Sequence, residues 1–167
     1  MNIPKVAIIA LFLLLLAAGA GFLALKRDSM EAESIREPNE IAAPGEKSAV
    51  VYRSLSCGCC GGYVDYLKKN GFSVSVEPVS ERFDRSEKFG IPSELGSCHT
   101  TVIDGYVIEG HVPLEAVQKL LDERPVLRGI SLPQMPIGSP GMPGPKTEAF
   151  EVKGFLDDGS VIDFMAL

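Results

Sequence analysis

The 167-residue chain carries 22 acidic against 16 basic residues, a net charge of −6, with four cysteines, two histidines and no tryptophan. All 22 acidic residues but only 13 of the basic ones lie from Asp28 onward, a net −9 over that part. This excludes the clustered Lys and Arg that nucleic-acid binding requires, and it tolerates bound cations without identifying one.

Residues 6–25, "VAIIALFLLLLAAGAGFLAL", are uncharged and almost wholly apolar, bounded by Lys5 and by Lys26-Arg27. About twenty such residues span the roughly 30 Å hydrocarbon core of a bilayer. A cleaved signal has a shorter apolar region, roughly 7 to 15 residues, followed by small residues. "AAGAG" at 17–21 offers that cleavage site, and no cysteine lies near it to carry a lipoprotein anchor. An N-terminal transmembrane helix and a signal helix over residues 1–27 are therefore both open. Either puts the rest outside the cytoplasm: periplasmic and tethered to the inner membrane, or secreted after cleavage. Residues 28–48 are polar, with Pro38, Pro44 and Gly45 and no sustained period, and read as a flexible linker.

The remaining ~120 residues suit one domain. "AVVYRS" (49–54) is a short β-rich run leading into "CGCC". Behind it Cys60, Tyr63, Val64 and Leu67 fall on one helical face, with Asn70-Gly71 as a left-handed stop. "SVSVEPV" (73–79) alternates as a strand. A short helix is expected over "ERFDRSEKF" and a turn at Ile91-Pro92. "TTVIDGYVIEG" reads as two strands joined at Asp104-Gly105, and Pro113 opens a helix with Leu114, Val117, Leu120 and Leu121 on one side. This is the order of a thioredoxin-like mixed sheet with flanking helices, an α/β fold, with the cysteines between its first strand and helix. Beyond residue 124 the Pro/Gly-rich stretch excludes a regular helix or central strand. "FEVKGFLDDGSVIDF" looks like a C-terminal β-hairpin turning at Asp158-Gly159. The expected units are 49–145 for the domain and 146–167 for the hairpin extension.

Cys57, Cys59 and Cys60 stand within four positions, and Cys98 lies nearly forty residues on, beside His99. A thiolate at a helix amino terminus is favoured by unpaired N–H groups and the helix dipole, and thiolates serve as both nucleophiles and metal ligands. In the thioredoxin order, the loop "SELGSCHTT" comes back to the start of that helix, which places Cys98 and His99 beside the other three sulfurs. Three readings follow. Two structural disulfides suit an exported chain, although adjacent Cys59 and Cys60 both need partners in one tight turn. A thiol-disulfide oxidoreductase uses Cys57 and Cys60, with a third thiol inviting scrambled bridges. A soft-metal site uses all four sulfurs, and thiolates with thioethers select Cu(I). His99 adjoins Cys98 and is a stronger ligand candidate than His111, which alone suits a solvated or hydrogen-bonded role. Met135 and Met142 sit in the Pro/Gly-rich loop, where a thioether ligand competes with simple packing.

"CGCC" after a short strand, "GIPSELGSCHTTVIDGYVIEGHVP" and "MPIGSPGMPG" together resemble the bacterial domain-of-unknown-function 411 family, which includes CopG-type copper-resistance proteins. The resemblance runs from about residue 49 to 145. It departs at Leu55-Ser56 and Gly61-Gly62-Tyr63, where members often carry Pro and Trp. It implies a thioredoxin-like, exported domain of copper resistance, with Cys57, Cys59, Cys60 and Cys98 as copper ligands. His99, His111, Met135 and Met142 lie nearby on this reading. The implied partners are copper ions and other periplasmic copper-handling proteins.

One Cu(I) among four thiolates leaves a net charge of −3, and uncompensated charge is costly when partly buried. Bridging thiolates would reach neutrality at about four ions. Adjacent Cys59 and Cys60 diverge and so suit bridging. More than one copper is expected, chiefly Cu(I), with rim nitrogen ligands allowing Cu(II). Exported copper binding is the leading function and an exported thiol-disulfide oxidoreductase the alternative.

Overall fold

The computed structural model describes residues 47–80 and 83–167. The expected anchor or signal segment at 1–27 and nearly all of the 28–48 linker lie outside the described residues. Among the described residues no helix is long and apolar enough to cross a membrane.

The elements are β1 (Lys47–Arg53), α1 (Gly58–Lys69), β2 (Phe72–Pro78), α2 (Arg85–Phe89), a 3-10 turn (Ser93–Leu95), β3 (His99–Ile103), β4 (Tyr106–Glu109), α3 (Leu114–Glu123), β5 (Gly129–Ser131), β6 (Glu151–Phe155) and β7 (Val161–Ala166). They make a mixed α/β fold around one seven-stranded sheet of order β2-β1-β3-β4-β5-β6-β7. β1 runs parallel to β2 and antiparallel to β3; β3 and β4 form a hairpin; β4 and β5 are parallel. Pro78, which lacks a donor, closes the edge strand β2, where the missing N–H is harmless.

Local signals explain the boundaries. Gly71 adopts φ +85° just past α1, whose C-cap is Asn70. The turn between β3 and β4 needs Asp104 at φ 49° and Gly105 at 85°, the pair of left-handed residues that suits a two-residue hairpin. α2 is shorter than the charged run suggests because Asp84 caps it, accepting from the Glu87 N–H at 3.0 Å, and Gly90 ends it at φ 69°.

Alternation along the strands divides the core in two. Val51, Ile103, Ile108 and Ile130 pack with Tyr63, Val64 and Leu67 of α1 and Val117 and Leu120 of α3. Val107 and Phe155 point the other way, to Phe89 of α2, Ile91 and Leu95. Each such side chain contributes roughly 1.5–3 kcal/mol when fully buried.

One expectation needs correcting. The Pro/Gly-rich stretch beyond residue 124 does contain a central strand: β5 lies between β4 and β6. Its prolines, Pro125 and Pro133, flank the three paired residues and do not interrupt them. Gly129 is what lets the strand approach, since a Cβ there would lie 1.9 Å from the Val107 carbonyl oxygen. Gly129→Ala should therefore lower stability by about 3 kcal/mol or more, because backbone has to move to admit the methyl group. Urea unfolding of the variant checks this, and an unchanged midpoint would contradict the packing. The C-terminal hairpin, β6 with β7, continues the same sheet; its turn is fastened by Asp158, which accepts from the Ser160 N–H at 2.9 Å.

Candidate metal centre

The sheet brings remote segments to one end. β1 finishes at Arg53, directly opposite His99 at the start of β3, and Thr100 in turn faces Glu109 at the end of β4. α1 begins beside that end, with Cys57 as its N-cap. The 97–99 turn, the 109–111 turn and the loop after β5 thus converge on the first turn of α1.

Four sulfurs meet there. The Sγ atoms of Cys57, Cys59, Cys60 and Cys98 all lie within 4.8 Å of one another. Cys57 and Cys60 are joined in a disulfide, with Cys59 Sγ 3.5 Å from Cys57 Sγ. Cys59 and Cys98 are free and partly buried. The Cys60 N–H donates to Cys57 Sγ at 3.3 Å, the N-cap contact that holds the motif on the helix. The Arg53 guanidinium donates to the carbonyls of Cys57 at 2.9 Å and Leu55 at 3.2 Å, tying the loop back to β1.

Both histidines adjoin this cluster through Cys98. Cys98 Sγ stands 3.4 Å from His99 Nδ1 and 3.0 Å from His111 Nε2, and these three atoms form a second group within 4.8 Å. The weaker sequence candidate, His111, is thus the nearer to sulfur. Its Nδ1 lies 2.7 Å from the Pro140 carbonyl, which can only accept, so Nδ1 carries the proton and Nε2 turns its lone pair towards Cys98. A carbonyl fixing the far nitrogen in this way is the usual support of a ligating imidazole. The His99 and His111 rings meet edge to face with centroids 4.8 Å apart, and the Tyr63 ring lies 4.7 Å from His99. Tyr63 is held by its hydroxyl, which donates to the Val112 carbonyl at 2.9 Å.

The loop after β5 forms the rim. Gly141, at φ +83°, lies on the first turn of α1, where a Cβ would come within 2.6 Å of Tyr63 N and 2.8 Å of Cys59 O. Met142, next to it, is half-buried, and its N–H donates to Ser139 O. Met135 is 46% exposed, at the outer side of the loop.

Burial sets the protonation. His99 is lowered to about 3, first by desolvation and then by His111, Arg85 and Arg53 nearby. His111 is lowered by burial, against the hydrogen bond to Pro140. The Cys98 thiol is pushed up to about 12 by burial and by Cys59. The imidazoles are thus neutral and free of proton competition, whereas a metal has to displace the Cys98 proton. Because folding lowers His99, the unfolded chain takes up its proton first as pH falls. The stability this contributes is complete above about 6.5 and is lost between there and about 3. The metal-free wild type should lose several kcal/mol more than His99→Gln from about pH 7 down to about pH 4, read by urea midpoints. Parallel curves for the two proteins would refute it.

Arg53, Arg85, Glu109 and Tyr63 were not among the sequence candidates. The signal for Glu109 was present as a lone carboxylate in an otherwise apolar strand, "YVIE". The arginines carried none, since surface arginines look the same in sequence.

The donor set fits soft metal: four converging sulfurs with two neutral imidazoles beside them. A family model described as "Protein of unknown function, DUF411" matches residues 95–142. Among solved structures, "Copper resistance protein copG- Form 1" is 38% identical, with a TM-score of 0.66, covering 72% of this chain and 96% of that one. "Copper resistance protein copG- Form 2" has the same identity and TM-score, covering 73% and 98%. No curated protein sequence matches. With this identity over nearly the whole of those chains, and the motif residues gathered at one site, the chain belongs to the CopG-type DUF411 family.

Proposed function

We propose that residues 49–145 are a thioredoxin-like module that binds Cu(I) outside the cytoplasm as part of copper resistance. The observation that carries this reading is the convergence of four Sγ atoms within 4.8 Å, beside two neutral imidazoles. The parallel β1–α1–β2 unit followed by the β3–β4 hairpin and α3 supports the thioredoxin-like assignment. When reduced, the four thiolates hold more than one Cu(I) by bridging, with His99 and His111 as nitrogen ligands at the edge and Met142 and Met135 as rim thioethers. Mixed sulfur and nitrogen donors also accommodate Cu(II). The N-terminal segment tethers the module to the inner membrane, where it exchanges copper with other extracytoplasmic copper-handling proteins.

A second reading rests on a specific observation, the disulfide between Cys57 and Cys60. A CxxC pair on a helix N-terminus can exchange with substrate disulfides, which makes the chain an exported thiol-disulfide oxidoreductase. The full-length protein, reduced and supplied with Cu(I), separates the two. Copper retained through desalting, without insulin reduction, supports the first; disulfide turnover without retained copper replaces it with the second. Location is checked by fusing alkaline phosphatase after residue 48. That enzyme needs an oxidising compartment for its own bridges, so activity is expected and an inactive fusion would place the domain in the cytoplasm.

A further inference from the structure

The tripeptide Glu109-Gly110-His111 leaves β4 facing the turn that carries Cys98, and each of its residues touches that turn. His111 approaches the sulfur. Gly110, at φ +79°, donates its N–H to His99 O at 2.9 Å, and a Cβ there would lie 2.6 Å from Ser97 Oγ. Glu109 is only 1% exposed. One carboxylate oxygen accepts from the Ser97 N–H at 2.7 Å, and the other from the Thr100 hydroxyl at 2.6 Å.

Arg85 completes the arrangement from α2. It donates to Ser97 O at 2.6 Å, and its Nε stands 4.0 Å from Glu109 Oε1. Ser97 is therefore gripped at its N–H by the anion and at its carbonyl by the cation, immediately before Cys98. The same carboxylate holds Thr100, immediately after His99. Both oxygens of the Glu109 carboxyl are thus taken up by this turn, one by a main-chain N–H that can only donate and the other by the Thr100 hydroxyl. A buried ion pair is an expensive way to stabilise a fold, since well-packed apolar groups commonly do as well. Here its contacts all fall on the four residues 97–100.

We infer that Glu109, bracketing Ser97 together with Arg85, is a positioning residue that fixes the Cys98–His99 turn against the other three sulfurs. It touches no sulfur and acts only through the turn. The inference leans on the copper-binding reading for one of its two readouts and is independent of it for the other.

The test uses the full-length chain with E109Q, R85Q, T100V and T100S. With the Cys57–Cys60 disulfide closed, Cys59 and Cys98 are the free thiols. Their iodoacetamide labelling rates are read separately by peptide mass spectrometry. In E109Q and R85Q, Cys98 should label about tenfold faster while Cys59 keeps its rate, the scale of one lost charge-assisted hydrogen bond. T100S should match wild type, and T100V should fall between. On the reduced chain, Cu(I) affinity measured against a chromophoric chelator should drop about tenfold in E109Q and drop no further when E109Q is added to Cys98→Ser. A role in fold stability alone would lower the melting temperature and leave the ratio of Cys98 to Cys59 labelling unchanged, which overturns the inference. So would an equal loss of affinity with and without Cys98. If E109Q does not fold, R85Q and T100V decide on the same labelling ratio. If the wild type retains no copper, the functional reading fails, while the labelling ratio still decides the positioning role.

Discussion

The reduced full-length protein should carry clearly more than one copper per chain, and Cys59→Ser and Cys98→Ser should each bring that number to one or below. Cu(I) is satisfied by two or three soft ligands, so four sulfurs gathered within 4.8 Å, all available once the Cys57–Cys60 bridge is reduced, exceed the need of one ion. A single Cu(I) held by all four as thiolates would also leave the partly buried cluster strongly negative, an arrangement that burial penalises. Cys59 is the discriminating position. It lies 3.5 Å from Cys57 Sγ but is adjacent in sequence to Cys60, so it reaches a neighbouring metal more easily than it completes a ring around the same one. Cys98 supplies the sulfur from the opposite side and the approach to both imidazoles. Elemental analysis of copper against protein measures all three chains. A firm value of one in the wild type, unaffected by Cys59→Ser, would leave the middle cysteine without a role and the bridged cluster wrong.

Closing the Cys57–Cys60 disulfide before copper is added should abolish multiple loading. The bridge takes two of the four sulfurs out of the donor set, releasing two electrons and two protons to the oxidant, here glutathione disulfide. What stays is Cys59 and Cys98 with His99 and His111, enough for about one ion. In the reverse order, copper bound to the reduced chain should protect Cys57 and Cys60, because a metal-bound thiolate is a poorer nucleophile than a free one. Copper content and non-reducing peptide mass spectrometry, taken on both orders of addition, give the comparison. Equal copper in the pre-oxidised and reduced chains would show that these two sulfurs are not ligands.

Some of this site was open to reading along the chain. The 3.6-residue spacing of Cys60, Tyr63, Val64 and Leu67 is a property of one helix, and the structure buries those four residues. Asp104-Gly105 and Asn70-Gly71 announce turns because left-handed backbone is a local demand. Return of the Cys98 loop to α1 followed from element order alone. β5 was missed because its pairing depends on what lies on either side of it: three residues between prolines carry no period of their own, and Gly129 reads as a loop residue until Val107 is placed against it.

The sequence by itself determined the inventory: which sulfurs and imidazoles are present, which of them start a helix, and where the tight turns fall. Those are local consequences of side-chain periodicity and backbone preference. Only the tertiary structure decided that His111 turns its lone pair towards Cys98, that the carbonyl of Pro140 fixes it there, and that Glu109 and Arg85 grip Ser97. These are contacts between segments brought together by strand pairing. Hydrogen bonds act over about 3 Å, so their partners exist only once the sheet has set the distance.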